Sequence, residues 1–199
     1  MDTTIYDNLT GLSGIALFSS QLDRAYRREL AGERGLAVLA LGVPHIDWLR
    51  RQHGGAFVDL GLLNVSQTLC DSLRRADRTA HLGDGRFLAF ASHLRSQEDA
   101  LRLAQRVHDR VRWAFRLEGH VERVSVRLGL SLRIPCERTT QSALLIDEAM
   151  QALFEAEAEG VRLFGSGQVG APRIGPAGPA TGAGADRRWT DHELPPALA

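Results

Sequence analysis

The chain has 199 residues, a 44% hydrophobic share and a 24% charged share, the composition of one soluble globular domain with room for a tail. Twenty-four basic residues balance twenty-four acidic ones, so no general electrostatic hold on nucleic acid or on an anionic membrane is expected. Every basic residue is Arg, which removes chemistry that needs a primary amine, such as a Schiff base or a P-loop lysine.

Taken in chain order, the apolar residues from Ile15 to Leu30 recur at helical spacing, with Arg24, Arg27 and Arg28 on the other side. The continuous apolar run at 36–43 predicts a buried central strand. Pro44 suits the start of a short helix that Gly54-Gly55 interrupts. A long amphipathic helix is predicted over 56–75, with Phe57, Leu60, Leu63, Leu69 and Leu73 on its apolar side. Residues 77–92 predict a β-hairpin turning at Asp84-Gly85 with positive φ. A helix over 97–116, a strand over 121–134, a helix over 140–158 stopped by Gly160, and a short strand at 161–164 complete an α/β or α+β domain of about five strands.

From 166 to 199 the composition turns to Gly, Ala and Pro, which predicts a flexible tail or linker in which Trp189 and Leu194 dock weakly at most. Cys70 and Cys136 are too few for a disulfide framework and are expected as buried free thiols. The seven histidines form neither HExxH nor a zinc spacing, and no GxSxG elbow is present. No apolar run suggests a leader or a membrane span, so a cytoplasmic chain without membrane insertion is expected. On these grounds alone the chain is an α/β domain without an assigned chemistry.

Asp7-Asn8-Leu9-Thr10-Gly11-Leu12 resembles the DxLTGL entry signature of GGDEF domains, which condense two GTP into cyclic di-GMP. Further segments follow in the same order: the strand run at 36–43, Leu73-Arg74-Arg75-Ala76-Asp77, His81-Leu82-Gly83-Asp84-Gly85-Arg86-Phe87, Val124 to Leu130, and Ala152-Leu153-Phe154-Glu155-Ala156 before Gly160. The resemblance spans residues 7–165. It implies domain limits of 1–165 with a tail at 166–199, and a nucleotidyl-cyclase-like sheet flanked by helices.

The departures from the family pattern fall on catalysis. The metal-binding Asp that ends the family's first strand is Gly42, and the two acids of the signature turn are Gly85 and Arg86. The Asn-Asp pair that holds guanine corresponds to Arg50-Arg51, the phosphate-contacting Lys to Glu157 and the following Arg to Val161. One carboxylate is new in the turn Gly83-Asp84-Gly85-Arg86-Phe87, that of Asp84. Mg²⁺ needs hard oxygen ligands, so the resemblance is to a degenerate domain, expected to be no enzyme and to hold neither Mg²⁺ nor another cofactor.

What the resemblance retains is the product-binding R-x-x-D pattern. Arg74 to Asp77 stands five residues, Arg78 to Leu82, before the signature turn. R-x-x-D recurs at Arg106–Asp109 and Arg188–Asp191, so only the register gives the first copy meaning. In the next helix Arg106 matches a further family Arg of this site, and Arg102 lies one turn earlier on the same face. Guanidinium groups pair bidentately with phosphate or guanine, and a carboxylate accepts from the guanine N–H edge. The expectation is therefore a cyclic di-GMP receptor or regulatory module using Arg74, Asp77, Arg106 and Arg102. Its expected partners are a protein or attached signalling domain and a second copy joined through the ligand, without nucleic acid. The alternatives are a ligand-independent protein-interaction scaffold and, behind it, a weak cyclase or GTP sensor.

Overall fold

The computed structural model describes residues 5–117, 120–121, 124–133, 141–156 and 161–165. A five-stranded sheet has the order β2-β3-β1-β6-β7, built from β1 (Gly35–Gly42), β2 (Arg78–Gly83), β3 (Arg86–Leu94), β6 (Arg127–Arg133) and β7 (Val161–Gly165). All neighbours are antiparallel except β6 and β7, which are parallel and joined through α5 (Ala143–Glu155). Arg116–Leu117 (β4) and His120–Val121 (β5) pair in a separate ribbon. This is the five-stranded α/β architecture expected from the sequence.

The apolar run of β1 is continuous because both faces of the strand are covered. Ala37, Leu39 and Leu41 enter the layer under α2 (Ile46–His53), α3 (Gly55–Ser72) and α4 (Gln97–Val111). Leu36, Val38 and Ala40 enter the opposite layer under α1 (Ile15–Ala31) and α5. The same alternation divides Phe87, Ala89 and Ala91 from Leu88 and Phe90 in β3, as a period-two backbone requires.

Two glycines set the layer spacing. A Cβ on Gly129 of β6 would collide with the Ala149 carbonyl and the Leu153 amide, so α5 lies directly on the strand. A Cβ on Gly61 of α3 would enter the ring of Phe115.

The entry motif forms a closed loop against the edge of the sheet. Asp7 accepts from Thr10 N (2.7 Å) and Thr10 Oγ1 (2.6 Å), and Gly11 takes a positive φ of 69°. Ser13 then bridges to Ala80 of β2.

Several expectations need correction. α3 stops at Ser72, so Arg74 to Asp77 lies in a connecting loop and not on a helix. Its buried face is Phe57, Val58, Leu62, Val65 and Leu69, while Leu60 and Leu63 are exposed. α4 ends at Val111, several residues short of the predicted helix, and β6 begins only at Arg127. Cys70 is exposed, 3.6 Å from Thr79 Oγ1, contrary to the buried thiol expected; Cys136, Glu157 and the 166–199 segment with Trp189 and Leu194 lie outside the described residues. No helix among the described residues is long and apolar enough to cross a membrane.

Candidate functional site: a basic groove beside the signature hairpin

The loop after α3 is fixed by one buried carboxylate. Asp77, 8% exposed, accepts from Arg74 N (2.9 Å) through Oδ2 and from Ser92 N of β3 (3.1 Å) through Oδ1. Asp77 N donates in turn to Arg74 O at 2.9 Å, closing a tight loop. Arg78 Nη1 braces its outside by donating to Arg75 O and Asp77 O, each at 2.7 Å. The loop holds the Arg74 backbone, and among the described residues the Arg74 guanidinium makes no hydrogen bond or ion pair.

Arg74 lines a cavity of about 930 Å³, together with Asp77, Arg102 and Arg106. All four residues singled out in the sequence therefore meet at one place. They are not equally available. Arg106 Nη2 donates to Ser72 O (2.8 Å) at the C-terminal end of α3, where a cation suits the helix dipole. Arg102 Nη2 donates to Asp99 Oδ1 at 2.6 Å. This bond from Arg102, with the Arg95 backbone N–H and the charges of both arginines, holds the Asp99 carboxyl below the usual carboxylate range. Arg34 and Arg95 line the cavity as well. Sequence reading passed over both, since they belong to no motif and only strand register brings them together.

The signature turn is a separate place. Asp84 (φ 49°) and Gly85 (φ 70°) are both left-handed, as the predicted tight hairpin requires, and Val43 N donates to Gly85 O at 3.0 Å. Phe87 is fully buried and stacks on His81 with ring centroids 4.5 Å apart. Gly42, Asp47, Trp48, Arg51, Asp84 and Arg86 are among the residues around a smaller pocket of about 410 Å³. Asp84 is exposed, and Arg86 Nη2 lies 3.4 Å from its Oδ2. A Mg²⁺ ion asks for several converging oxygen ligands, and here two carboxylates share the pocket with three guanidinium groups. The donor set does not fit that ion.

The family profile described as "Diguanylate cyclase, GGDEF domain" matches residues 4–162. The chain is a GGDEF domain. Diguanylate cyclase TpbB of Pseudomonas aeruginosa is 30% identical over 171 residues, 85% of this chain and 39% of that protein. The bifunctional diguanylate cyclase/cyclic di-GMP phosphodiesterase MucR of the same species is 27% identical over 156 residues, 78% of this chain and 22% of that protein. The GGDEF domain thus spans well under half the length of these curated relatives. Among solved structures, the isolated TpbB GGDEF domain superposes with a TM-score of 0.74 at 29% identity, covering 80% of this chain and 94% of that one. This kinship overturns the expectation that the chain is no enzyme: the family and both relatives are named for cyclase activity.

Proposed function

We propose that this GGDEF domain is a cyclic di-GMP signalling module that binds the dinucleotide in the groove beside the Arg74–Asp77 loop. One observation carries the reading: Arg74, whose guanidinium makes no hydrogen bond or ion pair among the described residues, stands on a hydrogen-bonded loop that lines a cavity large enough for a dinucleotide. Arg74 pairs with a phosphate through two parallel N–H donors, the geometry that guanidinium and phosphate share. Asp77 keeps that donor in place. Its two oxygens offer about four acceptor positions, and two backbone N–H groups leave the remainder for a guanine edge. Arg102 and Arg106 supply positive potential from α4, and the binding needs no metal.

Solved relatives support the reading. The GGDEF domain of DgcB from Caulobacter crescentus, 17% identical with a TM-score of 0.69, is described in complex with c-di-GMP. Diguanylate cyclase SiaD of Pseudomonas aeruginosa, 22% identical with a TM-score of 0.69, is described with its activator SiaC, which supports a protein partner for this domain too.

Calorimetric titration of cyclic di-GMP tests the reading directly. Arg74→Ala is expected to lose roughly 1.5–3 kcal/mol, about ten- to a hundredfold in affinity. A variant that binds as tightly as the parent removes Arg74 from the site.

The names of the relatives carry a second reading, synthesis of cyclic di-GMP from GTP at the signature turn. Incubation with GTP and Mg²⁺ followed by product detection decides it. Product that disappears in Asp84→Ala assigns synthesis to the turn.

A further inference from the structure

The β1–β3 ladder ends at Gly35 opposite Leu94. Arg34 immediately precedes β1 and Arg95 immediately follows β3, and both line the same cavity. The two backbones run close at this point, since a Cβ on Gly35 would lie 3.0 Å from Leu94 O. Like charges on one cavity wall repel one another unless an anion lies between them.

Neither side chain relieves this repulsion. The backbones are pinned: Arg34 N donates to Glu29 O at 3.0 Å and Arg95 N to Asp99 Oδ2 at 3.2 Å. Both residues are exposed, and among the described residues neither guanidinium makes a hydrogen bond or an ion pair. Both line the cavity that Arg74 lines, whose wall carries five arginines and three acidic residues. Two of those carboxylates already accept hydrogen bonds, Asp77 from two backbone N–H groups and Asp99 from Arg102 and the Arg95 amide. The third, Glu33, forms no ion pair with Arg34 or Arg95 among the described residues, so five guanidinium groups outnumber the carboxylates of the groove.

We propose that Arg34 and Arg95 form a second anion clamp in this groove, closing on one phosphodiester of a bound cyclic dinucleotide while Arg74 takes the other. The proposal rests on the reading of the groove as a dinucleotide site, and it adds a contact pair outside the R-x-x-D motif. It also sets the ligand class. A cyclic dinucleotide with two phosphodiesters engages both sets of arginines, whereas a mononucleotide engages one.

The test is calorimetry on the full chain with cyclic di-GMP and with GMP, comparing parent, Arg74→Ala and the double variant Arg34→Ala/Arg95→Ala. The double variant is expected to bind cyclic di-GMP about tenfold or more weakly, with a smaller loss for GMP. Its thermal midpoint without ligand is expected to equal or exceed that of the parent, because neither guanidinium has a hydrogen bond or ion pair to lose among the described residues. A lower midpoint means the two arginines are structural and overturns the clamp. Parent-like binding by the double variant, with binding lost in Arg74→Ala, overturns the clamp and leaves the groove reading intact. Binding lost in the double variant but kept in Arg74→Ala removes Arg74 from the site and leaves the clamp as its anion contact. No binding by the parent overturns both.

Discussion

Two aspartates do local work that their motif positions hide. Asp77 is buried beneath its own loop and satisfies the backbone of Arg74 and of Ser92. Replacing it with Ala strands two N–H donors, with an expected cost of about 2–3 kcal/mol in urea unfolding. A much smaller cost would mean that other contacts hold the loop. Asp7 is a different case. Its partial burial opposes ionisation, but the hydrogen bonds from Thr10 and from nearby His81, whose Nδ1 lies 3.1 Å away, outweigh this and hold its carboxyl below the usual range. The folded value is thus below the unfolded one. The ionised carboxylate contributes stability above the ordinary Asp value, and that contribution disappears as pH falls through the lower folded value. Asp7→Asn is therefore expected to lower stability at neutral pH and to flatten the loss of stability below about pH 4. Parallel acid-unfolding curves for variant and parent would show that Asp7 is not involved.

At the scale of elements, the parts read best from sequence are those whose burial follows a local rule. The run at 36–43 announced a strand covered on both faces, and β1 spans Gly35–Gly42 between two helical layers. The Asp84-Gly85 turn followed from the positive φ that a two-residue hairpin demands. The face of α3 was harder to read. Leucines recur all round this helix, so spacing alone could not separate Leu60 and Leu63, which are exposed, from Leu62 and Val65, which enter the core. Its end was misplaced for a related reason. Leu73 to Arg75 suit a helix by propensity, but the Asp77 carboxylate captures Arg74 N and turns the chain. The glycines that let layers approach left no local mark at all. Gly129→Ala is the sharpest test of that packing, because the new methyl would meet α5 backbone and no flexible side chain. The expected loss is about 1–3 kcal/mol, a fall of several degrees in thermal midpoint for a domain of this size. An unchanged midpoint would mean that α5 moves off β6 at little cost.

Across the whole molecule, a net charge of zero conceals a local imbalance. Arginines from three stretches distant in sequence, Arg34, Arg74 and Arg95 with Arg102 and Arg106, converge on one cavity. The sequence could register the R-x-x-D loop and the α4 arginines through motif spacing. It could not register Arg34 and Arg95, whose proximity exists only once β1 and β3 pair. The same separation explains why composition argued against a general grip on polyanions while the fold still builds a site for a small one. Attraction in such a groove acts over the few ångströms between guanidinium and phosphate and is only partly shielded, whereas the balanced surface around it adds no long-range pull. Two consequences can be measured together. Raising ionic strength from about 0.05 to 0.5 M should weaken cyclic di-GMP binding several-fold, through the rim arginines rather than through the total charge. The slope should be shallower for Arg34→Ala/Arg95→Ala than for the parent, because the variant has fewer exposed cations at the groove. Equal slopes would mean that the ligand does not feel the β1–β3 end of the cavity, and a salt-independent affinity would mean that the groove arginines do not contact its phosphates.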